Sequence, residues 1–502
     1  MSETPAEVVK VTLVSTAGEV VAEVVVPTSE TIEGLKCAVR DRHGIPFFTQ
    51  QLVQDTAVLE DKTLLADVLS GSDGRLQLVR RPLDPTAGPG LVEAAIAGDV
   101  LMVETLLRRA ADPNHKRAED GATAIAAASL CGFPGVVELL CKAKADLDVD
   151  PRGSLEQRSQ VPDEKNERRR GPIPLYVASH RGHCEVVRLL CEAKADTNAA
   201  VTSGATPLSA ASRSGHHEVV RVLCGFGADA DKERRDDGAT PLIAACQDGD
   251  GHLDVVRVLV EAGADRNKAE HSGATPLNIA SQRGCVEVVR YLCEAGADKE
   301  RARIDGATPL LMACQKGYLE IVAVLCESGA NVEKGVQHGA TPLYLAAFNG
   351  HLKVVQYLCD VGAERDATTR DGSTPLLIAC QGGHVEVAQC LLSAKADIDR
   401  TKKTGSTPLL VAAQFGRKSV VTMLFNAKAD LDKATIEGAT PLDMAWQEGH
   451  KDVVQLLCAV GAKPEQMALL SSLSPEDRSV LERFTEPNEM SRYLAEEQGL
   501  ER

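Results

Sequence analysis

One phrase, Gly-Ala/Ser-Thr-Pro-Leu, returns at an almost constant interval and constrains this chain more than any other feature. Its glycines are Gly204, Gly238, Gly273, Gly306, Gly339, Gly372, Gly405 and Gly438, spaced by 34, 35, 33, 33, 33, 33 and 33 residues. Degenerate copies precede them at Gly171 (GPIPL) and Gly121 (GATAI), and the series extends back to Leu91 in GLVEAAIAGD. The aliphatic residue of each phrase then counts eleven units: Leu91, Ile125, Leu175, Leu208, Leu242, Leu277, Leu310, Leu343, Leu376, Leu409 and Leu442. A period of this length marks a supersecondary unit too small to bury its own apolar face. Stability must come from stacking neighbours into a solenoid.

Each unit can be read chemically. In Ala307-Thr308-Pro309-Leu310 the threonine is placed to cap a helix. The proline takes the first helical position, where no backbone donor is needed. The helix runs through Leu310 and Ala313 and stops at Gly317. A second helix follows with Ile321, Val322, Val324, Leu325 and Cys326 on its apolar face and ends near Gly329. The polar stretch Asn331 to His338 then leads into the next phrase.

This pattern resembles the ankyrin repeat over roughly residues 85–463. The resemblance implies an all-α solenoid of L-shaped units whose loops project as β-hairpin fingers beside a concave groove. One departure is clear. The family's histidine after Thr-Pro-Leu is absent, and the position holds Ser209, Ile243, Asn278, Leu311, Tyr344, Leu377, Leu410 and Asp443. The hydrogen bonds of that histidine must be replaced or lost.

Two irregularities interrupt the period. Asp250-Gly251-His252 lengthens one unit by two residues, which predicts a bulged turn between its helices. Ile125 and Leu175 are spaced by 50 positions instead of 33. The surplus, residues 151–170, is rich in Gln, Glu, Lys and Arg without helical or strand periodicity, and reads as a disordered loop. Its Arg168-Arg169-Arg170 run reads as solvated loop, with a nuclear-import or docking tag as the alternative.

Residues 1–84 form a separate domain. Val11 and Leu13 alternate with Thr12, and Ala17-Gly18 interrupts the run, predicting a hairpin over residues 8–27. Ile32, Leu35 and Val39 share one helical face within Thr31–Arg42. Short strands are expected around Gln51–Gln54 and Arg75–Arg80. The segments TIEGLKCAVRDRHGIP, LEDKTLLADV and LQLVRR resemble ubiquitin in order across residues 8–81, which implies an α+β β-grasp fold. Ubiquitin's terminal Gly-Gly is missing, and Arg80-Arg81-Pro82-Leu83 runs on into the next domain. The resemblance therefore implies an integral ubiquitin-like domain rather than a conjugated modifier. The family's aliphatic recognition patch falls at Thr16, Val53 and Val79. In the tail, residues 464–502, Ser474-Pro475 opens a helix signature in SPEDRSVLERF, and the tail is expected to cap the last repeat.

The chemistry-bearing residues repeat with the scaffold. Seven cysteines (Cys141, Cys191, Cys224, Cys293, Cys326, Cys359 and Cys458) share one repeat position with Leu107, Val260, Leu392 and Phe425. An all-apolar set marks a core slot, and the spacings lack the close pairs that zinc requires. His183, His216, His252, His351, His384 and His450 all follow the turn glycine at the start of the second helix, a structural position such as a turn hydrogen bond. No P-loop, HExxH, GxSxG or kinase signature is present. The expectation is a protein that is not an enzyme, with no cofactor and no metal.

What varies between units is the finger before each phrase. The candidate contact residues there are Arg235, His271, Arg303, Gln337, Arg370 and Lys403. With 55 basic and 72 acidic residues the formal charge is −17, and no single-sign basic field points to nucleic acid. No apolar stretch is long enough to span a bilayer and no secretory signal is visible. The cytoplasm is the expected compartment, with the nucleus as alternative. The expected function is a scaffold or adaptor whose repeats bind a protein or peptide partner. Its ubiquitin-like domain would connect to ubiquitin receptors or the proteasome. The alternatives are a plain anchor for a membrane-protein tail or signalling complex, and an inhibitory regulator of an enzyme.

Overall fold

The structure, a computed structural model, describes residues 8–462 except 18, 44, 46, 55–56, 70–74, 81, 149–172 and 249–250. The expected disordered loop at 151–170, the Arg168–Arg170 run and the C-terminal helical cap lie outside the described residues.

The N-terminal segment is a five-stranded mixed sheet packed on one helix. Its elements are β1 (Val8–Val14), β2 (Val20–Pro27), α1 (Ile32–His43), β3 (Gln50–Gln54), β4 (Ala57–Val58), α2 (Leu65–Leu69) and β5 (Arg75–Arg80). The strand order is β2-β1-β5-β3-β4. β1 and β5 pair in parallel at the centre, and β1–β2, β3–β5 and β3–β4 pair antiparallel. The period-two residues do what the alternation predicts: Val11, Leu13, Val24, Leu52 and Leu76 point inward onto Ile32, Leu35 and Val39 of α1. A buried amide ties α1 to β3, because Gln50 Nε2 donates to Lys36 O at 3.1 Å and Ile45 O at 2.8 Å. This arrangement is compatible with a ubiquitin-like β-grasp domain. Sequence reading missed only its shortest elements, β4, α2 and a 3-10 turn at Phe47–Thr49.

From Gly88 onward the described residues form eleven helix pairs, one for each unit. The unit built on Pro309–Lys316 and Leu319–Glu327 shows why. Thr308 accepts a hydrogen bond from the Leu311 amide, Pro309 opens the first helix, and Gly317 closes it at φ 79°. The second helix buries Ile321, Val322, Val324 and Leu325. Cys326 is a correction to the sequence reading: it is only half-buried, because it sits one residue past Leu325 at the margin of the apolar stripe. Cys141, Cys224 and Cys293 share that marginal place, whereas Cys191, Cys359 and Cys458 are buried.

In the irregular unit the first helix ends at Cys246 and the second begins at Leu253. Gln247 to His252 separate them, where Gly317 and Tyr318 suffice in the unit above. The described part of this longer turn closes with the Gly251 amide on Asp248 O at 2.9 Å.

Three units replace the missing histidine with a polar cap. Ser209, Asn278 and Asp443 each complete a reciprocal capping box with the preceding threonine. Asn278 also sends Nδ2 to Ala307 O of the following unit at 3.4 Å. Ile243, Leu311, Leu377 and Leu410 give up the polar contact and are buried as core.

The fingers close as tight hairpin-like turns, without paired strands among the described residues. In one, the Val336 amide donates to Ala340 O at 3.1 Å and the Gly339 amide to Val336 O at 2.8 Å. The glycine is required sterically. At Gly405 φ is 84°, and a Cβ there would lie 2.8 Å from the Ile436 amide nitrogen and 3.0 Å from Thr435 Cα of the next finger.

By their contacts, the described residues fall into two compact units. One comprises the sheet and the repeats through Ala245 together with Asp254–Asp265, and the other comprises Cys246–Leu253 and the residues from Arg266 on.

Candidate partner-binding surfaces

In the sheet domain, the strand register places Val53 opposite Gln77, two residues before Val79. Side chains two apart on one strand share a face, so Val53 and Val79 are diagonal neighbours on the side of the sheet away from α1. Both are half-buried. Thr16 lies beyond β1, in the exposed turn that leads to β2. Sequence reading missed two residues of this face: Val14 pairs with Gln77 from β1, and exposed Val58 pairs with Val53 from β4. One row across the sheet is thus Val14-Gln77-Val53-Val58, three valines interrupted by a glutamine, with Val79 beside it.

The sheet domain and the first repeat share a charged clamp. Asp61 accepts from Lys36 Nζ at 2.6 Å and from Arg108 Nη1 at 3.2 Å. Arg108 lies in the second helix of the first repeat, and its Nη2 also meets Glu104 Oε1 at 2.8 Å. The side chains of Lys36 and Asp61 retain only 10% and 14% of their exposure, and the Lys36 ammonium also stands 5.6 Å from the centroid of the Phe47 ring. Farther along, the Asp84 amide donates to Ala110 O at 2.7 Å.

Within each of the two compact units, three kinds of hydrogen bond recur between successive repeats. The first lies at the turn between helices. The ring Nε2 of His183, His216, His351, His384 and His450 lies 3.0–3.1 Å from the carbonyls of Leu130, His180, Gln315, Phe348 and Gln414 in the preceding units. The same rings lie over Gly132, Gly182, Gly317, Gly350 and Gly416, where a Cβ would collide with them. Arg417 supplies Nε to Gln381 O at 3.0 Å in the same way. For these five of the six repeated histidines the structural role is an inter-unit bond, whereas His252 Nε2 lies 3.5 Å from Asp248 Oδ2 of its own longer turn. Replacing His384 by alanine is expected to destabilise the array by about 1 kcal/mol, the usual net value of such a bond. His384→Arg should retain most of the stability. Denaturation midpoints of both variants check this, and equal loss in both would assign the effect to ring packing alone.

The second kind runs along the loops after the second helices, and sequence reading took these only as polar connectors. The signal was there, in acidic or amide residues two apart, as in Asp397-Ile398-Asp399 and Asp430-Leu431-Asp432. Asp366 Oδ1 accepts the Asp397 amide at 3.0 Å, and Asp399 Oδ1 accepts the Asp430 amide at 3.1 Å. In the other compact unit, Asn114, Asp148, Asn198 and Asp231 do the same for Asp146, Asp196, Asp229 and Asp265.

The third kind registers the fingers. The amides of Ile304, Arg370, Lys403 and Ile436 donate to the carbonyls of Ser272, His338, Asp371 and Thr404 in the finger before, at 2.8–3.0 Å. Gln337 makes the equivalent link with its side chain, Nε2 to Ile304 O at 3.1 Å. Arg235 does so in its own compact unit, donating to Ser203 O at 2.9 Å. The candidates Arg235, His271, Gln337, Arg370 and Lys403 are all exposed. Arg303 is placed differently: its amide closes its own finger on Ala307 O, and its guanidinium turns inward, with Nη1 3.8 Å from Met312 Sδ and Nε buried. The projecting residue of that finger is Ile304, which sequence reading passed over because it weighed polar residues.

Burial raises the thiols along the helices. Cys246, Cys314 and Cys380 lie well above the ordinary range, Cys141 and Cys326 rise to about 11, and Cys458 to about 12. Reaction needs an accessible thiolate. Brief iodoacetamide treatment of the folded protein at pH 8 is therefore expected to label exposed Cys131 and spare Cys246, Cys314 and Cys380 until denaturant is added. Peptide mapping reads the result, and early labelling of Cys380 would contradict the packing. Among the described residues, no group of three or more His, Cys, Asp or Glu side chains is arranged to hold a metal ion. No helix there is long and apolar enough to cross a membrane.

No curated protein matches this chain. A family model for ankyrin repeats (3 copies) matches residues 155–236, 226–303, 299–369, 361–435 and 405–468. These matches span 155–468, more than half of the 502 residues. They begin after the first two helix pairs, which the structure adds to the series on the same pattern. Phrase, helix pairs, fingers and family model agree: the chain belongs to the ankyrin-repeat family, whose arrays are protein–protein interaction modules.

Proposed function

We propose that this protein is a non-catalytic adaptor: its repeats hold a protein partner and its N-terminal domain connects that partner to a ubiquitin receptor or the proteasome. The observation that carries the first half is the division of labour in the fingers. Their turns are tied from unit to unit, by the backbone amides of Ile304, Arg370, Lys403 and Ile436 and by the side chain of Gln337, while the residue at the tip changes from finger to finger. A preordered surface loses little conformational entropy on binding. The second half is supported by the half-buried Val53 and Val79 on the open sheet face, beside Val14 and Val58. The cytoplasm is the proposed compartment, with the nucleus as the alternative. The test uses the full chain, because the Asp61 clamp links the sheet domain to the first repeat. Wild type, a Val53→Asp/Val79→Asp variant and a variant altered at the finger tips each serve as bait for quantitative capture. The reading expects proteasome or ubiquitin-receptor subunits to be lost only with the valine variant and a client only with the tip variant. Retention of both sets by both variants would overturn it. Retention of clients with no degradation component in any capture would leave a plain scaffold.

A further inference from the structure

We infer that the fingers from Ile304 to Ile436 form one binding edge for an extended acidic peptide segment with apolar residues at its two ends. This rests on the adaptor reading and names the chemistry of its client. The edge lies within one compact unit, and its tips are held in register by the links just described, three through backbone amides and one through the Gln337 side chain. At the two ends stand isoleucines that no fold requirement explains: Ile304 is 71% and Ile436 80% exposed. Between them project Gln337, Arg370 and Lys403, all exposed.

Charge selects the occupant. Two neighbouring tips carry cations in a protein of formal charge −17, and among the described residues neither Arg370 nor Lys403 has a carboxylate in ion-pair range. The acids of the same fingers are already engaged. Asp371 takes hydrogen bonds from the Thr369 hydroxyl and from Ser373 Oγ, at 2.7 Å for the latter, and these bonds hold its carboxyl below the usual range. Asp305 accepts the Ala307 amide at 3.0 Å and stands 3.7 Å from Arg303 Nη2. The acids thus face back into their own turns while the cations face out, although exposed Glu437 bounds the basic stretch beside Ile436. A planar guanidinium and an ammonium side by side suit successive carboxylates. Two open cations are too few to replace the counterions of a nucleic acid.

Length fits as well. Packed helices lie ~8–10 Å apart, so the four steps from Ile304 to Ile436 cover about 32–40 Å. About twelve extended residues span that distance.

The test is fluorescence polarisation with the full chain and a labelled dodecapeptide carrying central glutamates and leucines at both ends. Saturable binding is expected. It should weaken about tenfold or more for Arg370→Glu/Lys403→Glu, return when the glutamates of the peptide are replaced by lysines, and weaken separately for Ile304→Ser/Ile436→Ser. All four positions are exposed, so unchanged unfolding midpoints verify the fold. No binding, equal binding of a peptide whose central glutamates are replaced by glutamines, or preferential binding of an oligonucleotide would overturn the inference. Clients captured by wild type and retained by Arg370→Glu/Lys403→Glu would overturn it too, while leaving the adaptor reading standing.

Discussion

Replacing Leu358 by alanine is expected to destabilise the repeat array by about 2–5 kcal/mol, the usual range for truncating a leucine inside a packed core. Leu358 is fully buried in the helix Leu352–Asp360, where Val354 and Val355 complete its apolar face. The unit has no private core, so one cavity weakens its own fold and its contacts with both neighbours. Unfolding of such arrays is close to one-dimensional. The variant should therefore show lost hydrogen-exchange protection centred on residues 342–360, and in denaturant a broadened or divided transition. Exposed Lys353→Ala should stay within about 0.5 kcal/mol of wild type. A Leu358→Ala protein with wild-type midpoint and uniform protection would mean that this row is not the stacking core.

The clamp between the sheet domain and the first repeat predicts the second large effect. Asp61→Ala leaves the Lys36 ammonium almost enclosed with no counter-charge, a change that costs 3–5 kcal/mol when the pair is fully buried. The Arg108 arm is more open, with 55% side-chain exposure, and surface pairs contribute little. A loss of about 2–4 kcal/mol is expected. A cycle of Asp61→Ala, Arg108→Ala and the double variant isolates the part that crosses between sheet and repeat. Strong coupling would show that the domain also steadies the start of the array. Additive effects would confine the role of Asp61 to the sheet domain.

The scaffold was legible in the sequence because its determinants are local and repeated. Thr308, Pro309, Leu310 and Gly317 specify cap, first turn, core and stop within ten positions, and eight of the eleven units restate all four. The period-two strands and the face of α1 were legible for the same reason. What the sequence did not disclose was reciprocity across units. A histidine after a glycine reads as a turn residue until the carbonyl of the preceding unit appears beside it, as Phe348 does for His384. The sheet face was half visible, since Val53 and Val79 came from a family resemblance while Val14 and Val58 joined them only through strand register. At the fingers a shift of one position separates inward-turned Arg303 from projecting Ile304, and only the amide pairing sets that position.

The hydrogen bonds across the long spacing have a consequence for how the chain tolerates change. His183 reaches Leu130 at 3.1 Å, and the Asp196 amide reaches Asp148 Oδ1 at 3.0 Å. These are the same links that neighbouring units make, although here 53 and 48 residues separate the partners along the chain. Contour length and spatial step are therefore decoupled between Asp148 and Ile173. A splice variant, a protease site or a grafted reporter placed in that interval would leave the pitch of the flanking units unaltered, whereas a single residue added at any Thr-Pro-Leu phrase would throw every later finger out of line.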